Sequence, residues 1–167
     1  MKKIILFLFV LLFVTGNLFA GEDDTYFSLS SGLLYKKALS VEFTFEKELA
    51  YHNSWELGLD YYNQCLGQYA IDSTGYLIKK HAFLAQGAYN QVLVQYKNSN
   101  ISLHLAGGLG ANNELKFSFS AMPGIEYNYT FANGFKFFIL QKNQFSFLNV
   151  GNTWFRTGLL IGIKIPL

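Results

Sequence analysis

The chain has 167 residues, 13 Lys and Arg against 11 Asp and Glu, 18% aromatic residues, two prolines and one cysteine. A charge this close to balance leaves no electrostatic footprint for nucleic acid, and the lone Cys65 excludes an internal disulfide, a paired-thiol redox motif and a thiolate metal site. An aromatic-rich, proline-poor chain favours strands over helices.

The N-terminus comes first. Lys2 and Lys3, the apolar run Ile4 to Val14 and Asn17-Leu18-Phe19-Ala20 before Gly21 follow the order of a secretory signal peptide, with cleavage expected after Ala20. The run is short for a retained anchor, which needs about 20 residues to span a bilayer. No Cys stands at the cleavage position to carry a lipid. The expected organisation is a signal peptide over 1–20 and a single β-barrel domain over 21–167. Loss of Lys2 and Lys3 leaves 11 basic against 11 acidic residues, so the mature chain is formally neutral. Cys65 reads more simply as a small apolar filler than as a reactive thiol.

Beyond the acidic Glu22-Asp23-Asp24, period-2 alternation dominates. Phe27, Leu29, Leu33 and Tyr35 share one face of an extended segment, with Ser28, Ser30 and Gly32 on the other. After a Lys36-Lys37 turn, Leu39, Val41, Phe43 and Phe45 alternate with Ser40, Glu42, Thr44 and Glu46. A connection through His52, Asn53 and Ser54 leads to Trp55, Leu57, Leu59 and Tyr61, opposed by Glu56, Gly58, Asp60 and Tyr62. Gln64 to Gly75 reads as the longest loop, with Asp72-Ser73-Thr74-Gly75 as its turn chemistry. The strand from about Leu77 to Gln95 has mixed faces. Its inner set is either Gln86, Ala88 and Asn90 or the set containing Gln91 and Gln95, and a β-bulge reconciles the two halves.

Lys97-Asn98-Ser99-Asn100 turns the chain into Ile101, Leu103, Leu105 and Leu109, opposed by Ser102, His104, Ala106, Gly108 and Gly110. The Gly107-Gly108-Leu109-Gly110 run lacks the Lys-Ser/Thr pair and following helix of a phosphate loop, and glycines facing a narrow interior explain it better. Asn112-Asn113-Glu114 turns again, and Phe117, Phe119, Ile125, Tyr127, Tyr129 and Phe131 then oppose Ser118, Ser120, Gly124, Glu126, Asn128 and Thr130. Pro123 predicts a local bulge, and Asn133-Gly134 a type I′ hairpin turn. A strand from Phe135 to Phe147 and a turn over Asn149 to Asn152 precede the last one, where Phe155, Thr157, Leu159, Ile161, Ile163, Ile165 and Leu167 oppose Arg156, Gly158, Leu160, Gly162, Lys164 and Pro166.

Eight strands result, an even number that returns both termini to one side. Strands apolar on one face and polar or small on the other are the units of an outer-membrane-type barrel. The fold expected is therefore an all-β, eight-stranded antiparallel up-and-down β-barrel, with Tyr35, Trp55, Tyr61, Tyr129 and Trp154 as candidate interfacial aromatics. Short turns at His52, Lys97 and Asn133 fall on the side of the termini.

The interior set is then Glu42, Glu46, Glu56, Asp60, Glu126, Arg156 and Lys164. Charges inside so narrow a barrel must pair or meet water, and a structural ion-pair network is the reading preferred over proton transfer or ligand binding. Carboxylate pairs serve glycoside hydrolysis only beside a sugar-sized cleft. His52, His81 and His104 lack compact ligand spacing, so no metal or cofactor is expected. His52-Asn53-Ser54 carries the residue types of a lipid A-modifying hydrolase but sits on the side of the termini, away from outer-leaflet lipid; no catalytic residue is assigned. Asn128-Tyr129-Thr130 matches a glycosylation sequon only by accident of a strand.

Several segments carry a family likeness: Gly87-Ala88-Tyr89, Ser102-Leu103-His104-Leu105-Ala106-Gly107-Gly108-Leu109 up to Glu114, Phe138-Ile139-Leu140-Gln141, and Phe155-Arg156-Thr157-Gly158-Leu159-Leu160-Ile161-Gly162-Ile163-Lys164. In these the chain resembles the conjugal transfer protein TraO family of Bacteroides-type transfer systems. The resemblance implies an exported envelope component of a DNA-transfer apparatus, with no catalytic residues to carry over. The chain departs from outer-membrane barrels at its end, Pro166-Leu167, where a terminal aromatic is usual.

The expected function is thus a structural outer-membrane barrel and not an enzyme. Its partners would be outer-membrane lipid and other proteins of a conjugation apparatus, without direct contact to nucleic acid. A soluble periplasmic lipocalin-like barrel binding an apolar ligand is the alternative, and it requires the apolar face of Phe155 to Leu167 to point inward.

Overall fold

The computed structural model describes residues 24–35, 38–63, 70–71, 77–78, 81–112, 117–147 and 155–167. The expected signal peptide, Cys65, Trp154, the Lys36-Lys37 turn, most of the Gln64 to Gly75 loop and the turns at Asn113-Glu114 and Asn149 to Asn152 lie outside the described residues.

The strands are β1 (Thr25–Leu34), β2 (Ala38–Glu48), β3 (Ser54–Asn63), β4 (Ala70–Ile71), β5 (Leu77–Ile78), β6 (His81–Tyr96), β7 (Ser99–Asn112), β8 (Phe117–Thr130), β9 (Lys136–Phe147) and β10 (Phe155–Pro166). Eight of them close a barrel in the order β1-β10-β9-β8-β7-β6-β3-β2, every neighbour antiparallel, while β4 and β5 pair only with each other. The architecture is the all-antiparallel eight-stranded barrel that the alternation predicts. The shortest barrel strands, β1 and β3, have 10 residues, enough for a tilted strand to cross a bilayer, which takes about 9–11.

β10 seals the sheet by pairing with β1 from Tyr26↔Pro166 to Leu34↔Gly158. At this seam the backbones pack closely on the inner face: a Cβ on Gly158 would lie 2.1 Å from the Leu33 carbonyl oxygen. Asp24, Leu167, the 3-10 turn Ala50–His52, the Lys97-Asn98 turn and the Ala132–Gly134 turn gather at one end, the turn end. The opposite end carries the two longest connections, β3 to β6 and β9 to β10, and is called the loop end.

Side chains alternate between a buried interior and an exposed exterior, as a pleated strand requires. In β2, Ser40, Glu42, Thr44, Glu46 and Glu48 are buried while Leu39, Phe43 and Phe45 are exposed. The same inversion of the usual soluble pattern runs through β10, where Lys164, Leu160 and Arg156 are buried and Leu159, Ile161 and Ile163 are 57%, 55% and 45% exposed. That facing overturns the lipocalin-like alternative, which places the apolar face of β10 inside.

Three local expectations change and one is met. The mixed strand begins at His81, and Leu77-Ile78 belong instead to the small β4-β5 ladder. Its inner set is Ala82, Leu84, Gln86, Ala88 and Asn90, and the register against β7 shifts by one residue between Val92 and Val94. A bulge there does reconcile the two halves. Pro123 makes no bulge: the β8-β9 register is the same at Ala121↔Phe145 and Gly124↔Lys142. Proline lacks an N–H, so pairing toward β9 lapses around it without inserting a residue. The hairpin at Asn133-Gly134 is not type I′, because only Gly134 has a positive φ, 85°. Gly134 N–H donates to the Phe131 carbonyl (3.0 Å) and Phe131 N–H to the Phe135 carbonyl (2.8 Å), the pattern of a three-residue loop with its glycine in the left-handed position.

Candidate functional site in the barrel interior

The interior is filled, and its contents change along the axis. Two small apolar clusters pack there, Leu34, Ala38, Phe138, Leu140 and Leu160 in one and Tyr62, Ala82 and Leu84 in the other. The first reaches from the loop end to Phe138, whose ring centroid lies 5.0 Å from the Lys164 ammonium, and Ser118, Ser120, Gln144 and Ser146 are also buried toward the loop end. Arg156 lies over the Tyr62 ring, its guanidinium carbon 4.4 Å from the centroid.

Next to these clusters stands Lys142 on β9. Its ammonium donates to Asp60 Oδ2 (2.7 Å) and to Glu42, and Ser40 Oγ donates to the other Asp60 oxygen (2.8 Å). β2 and β3 bring the two carboxylates together because Glu42 pairs directly with Asp60. Sealing a cation and two carboxylates away from water costs several kcal/mol per ion, and only close pairing with further hydrogen bonds offsets that cost.

Nearer the turn end, Lys164 on β10 stands among three carboxylates: Glu46 (2.7 Å), Glu126 (2.7 Å) and Glu56 (3.4 Å). Neutral side chains complete this layer. Asn90 Nδ2 donates to Glu56 Oε1 (2.6 Å) and Ser54 Oγ (3.3 Å), and Asn90 Oδ1 bonds His104 Nδ1 (2.7 Å). Asn128 Nδ2 donates to Glu126 Oε1 (2.8 Å) and Asn100 Oδ1 (3.0 Å). The last layer holds Lys136, which donates to Glu48 Oε2 (2.6 Å) and sits 4.0 Å from the centroid of the Tyr26 ring. His52 bonds the other Glu48 oxygen.

Open space lies at the turn end. A mouth of about 300 Å³ opens at the turn end, lined in part by Glu48, His52, Asn100 and Lys136. Beyond it a cavity of about 10 Å³ lies among Glu46, Asn90, Glu126, Asn128 and Lys164, a volume near that of one water position. So little space in a barrel of this size leaves no diffusion channel through the described interior.

All seven residues predicted for the interior are buried. The structure brings Glu46, Glu56, Glu126 and Lys164 into one cluster and Glu42 and Asp60 into another, with Arg156 in the loop-end half. Sequence reasoning missed Lys136, Lys142, Glu48 and the polar set Asn90, His104 and Asn128 as members of this network. Lys142 and Lys136 share the even-numbered face of β9 with Phe138 and Leu140, which hid its inward orientation. The only available signal was the position of Lys142 two residues from Gln144 and Leu140 on a strand with mixed faces.

The His52-Asn53-Ser54 trio is spread over different jobs. His52 bonds Glu48, Asn53 Oδ1 accepts from Val92 N–H (2.9 Å), and Ser54 Oγ accepts from Asn90. Ser54 faces the interior and is 1% exposed.

The exterior is an apolar belt. Leu29, Leu57, Leu59, Leu105, Ile125 and Ile161 are among the exposed aliphatics of its middle. Aromatic rings meet at both ends, Tyr61 with Phe83 (4.8 Å between centroids) and Phe119 with Phe147 (5.8 Å) toward the loop end, Phe45 with Trp55 (6.0 Å) and Tyr129 with Phe131 (5.1 Å) toward the turn end.

Comparison with known proteins agrees with this architecture. A solved chain described under "De novo design of transmembrane beta-barrels" is similar over 86% of this chain and 95% of its own, with a TM-score of 0.50 and 9% identity. At that identity the likeness concerns the fold alone. No protein-family model and no curated protein matches the sequence, so the TraO resemblance rests on the quoted motifs.

Proposed function

We propose that the protein is a structural, membrane-spanning barrel of the bacterial outer membrane. One observation carries this reading: the barrel exposes its apolar side chains all round and encloses its charges. Monomeric soluble proteins rarely expose contiguous apolar patches beyond a few hundred Å², whereas a lipid-facing barrel requires an apolar band flanked by aromatic girdles. The filled interior favours a structural role over a diffusion pore. The dispersal of His52, Asn53 and Ser54 among separate partners favours it over a lipid hydrolase.

The reading is tested by refolding the mature chain in detergent and following its migration in SDS with and without heating, together with flotation on liposomes. Folded barrel migrating apart from the boiled chain and floating with lipid is the expected result. Full solubility without detergent contradicts it. Lipid turnover abolished by Ser54→Ala would replace the structural role with a hydrolase.

The finer proposal, taken from the motif resemblance, is a place among the envelope components of a conjugative transfer apparatus. Deleting the gene from a transfer-proficient strain is expected to lower DNA transfer while leaving growth unchanged. Unchanged transfer would sink that assignment and leave the barrel reading intact.

A further inference from the structure

The charges of the interior do not cancel. Among the described residues, six buried carboxylates (Glu42, Glu46, Glu48, Glu56, Asp60, Glu126) face four buried cationic side chains (Lys136, Lys142, Arg156, Lys164). Lys136 pairs with Glu48, and Lys142 with Glu42 and Asp60 in the half that also holds Arg156. Counted as formal charges, the surplus of two carboxylates therefore falls where Lys164 is the cation paired with Glu46, Glu56 and Glu126.

Within that layer, Glu56, His104 and Glu126 offer ligand atoms that all lie within 4.8 Å of one another. The hydrogen bonds around them fix the donor set. Asn90 presents its Nδ2 to the Glu56 carboxylate, so its Oδ1 is the atom facing His104. His104 must therefore donate from Nδ1, which leaves the lone pair of a neutral imidazole on Nε2. A ligating histidine characteristically donates its other N–H to an oxygen in this way. Asn128 likewise gives its Nδ2 to Glu126 and Asn100, leaving its Oδ1 buried without a hydrogen-bond partner beside the small cavity.

We propose that Glu56, His104 and Glu126 form a site for one borderline divalent cation, of the chemistry of Zn²⁺, reached from the mouth at the turn end. Two carboxylates and one neutral imidazole suit such an ion, at bond lengths of about 2.0–2.2 Å. Lys164 holds Glu46 and Glu126 equally closely, so the cation would share Glu126 with the ammonium and balance the surplus charge of the layer. His52, Asn100 and Lys136 line both the mouth and the inner cavity, and of the three proposed ligands Glu126 lines that cavity. The site depends on the interior alone and not on whether lipid surrounds the barrel.

The test uses the full mature chain folded in detergent, stripped with chelator and titrated with ZnCl₂ by calorimetry. One equivalent is expected to bind, with X-ray absorption showing one imidazole among oxygen ligands. His104→Gln should abolish that equivalent, and Asn90→Ala should weaken it by about 10 to 100-fold, as loss of the residue orienting two ligands does. Both variants are first checked for the folded band in unheated SDS. Should His104→Gln fail to fold, the imidazole count in the wild-type protein decides. No saturable binding, binding that survives His104→Gln, or an absorption spectrum without exactly one imidazole would each overturn the site.

Discussion

Lys142 and Lys164 lie inside the same barrel, 1% exposed each, on neighbouring strands, and both are held by carboxylates from β2 and β3. Around Lys142 two carboxylates close on one ammonium, a serine hydroxyl supports one of them, and an apolar cluster packs the adjoining space. Around Lys164 three carboxylates share one ammonium beside a water-sized cavity and a set of amides and an imidazole. The first is a sealed clamp that ties β9 to β2 and β3. The second has charge and space left over, which is what a binding layer needs and a purely structural one does not.

The largest expected effect comes from breaking the clamp. Lys142→Met strands Glu42 and Asp60 in the interior and should cost about 3–5 kcal/mol, the range for removing one partner of a buried pair, read from urea unfolding followed by tryptophan fluorescence in micelles. Lys164→Met should destabilise in the same way, but Zn²⁺ is expected to restore part of that loss, whereas Lys142→Met should gain nothing from the metal. Equal responses to Zn²⁺ would erase the distinction between the clusters.

One residue along β10, the same charge has the opposite sense. Ile163→Arg places a cation on the exposed belt and should cost about 2–4 kcal/mol if that position sits near the middle of a bilayer, measured as the shift in unfolding of the liposome-inserted protein. No change in lipid together with an intact fold would remove Ile163 from the membrane-facing surface.

Smaller effects separate the seam from the clusters. Gly158→Ala pushes a Cβ toward the Leu33 carbonyl across the β1-β10 closure, and the strain should cost about 1–3 kcal/mol without altering Zn²⁺ binding. Gly134→Ala tests the turn only: its φ of 85° penalises a side chain by about 1 kcal/mol, and neither cluster should respond.

Much of this was legible before any coordinates because a barrel strand writes its two environments on alternate residues. β2 and β10 carry clean alternation, so Glu42, Glu46, Arg156 and Lys164 could be assigned to the interior from pattern alone. β9 could not be read, since Phe138 and Leu140 lie inside beside Lys136 and Lys142. The polar-inside rule breaks locally because Phe138 and Leu140 pack with Leu34, Ala38 and Leu160 between the Lys136 and Lys142 positions. Nor could three scattered histidines announce a ligand set. Glu56, His104 and Glu126 come from β3, β7 and β8, and meet through the curl of the β3-β6-β7-β8 arc. Pro123 and Asn133-Gly134 misled for a simpler reason, since both residue types fit more than one backbone solution and the neighbouring strands chose between them.

The central claim is that the outer surface of this barrel is solvated by lipid. It is tested most directly by labelling Ile161→Cys, in a Cys65→Ser background, with a fluorophore and reconstituting the protein into vesicles containing lipids brominated along their acyl chains. Strong quenching by the bromolipid with protection from aqueous iodide is the expected result. Quenching by iodide without any response to the bromolipid would contradict it.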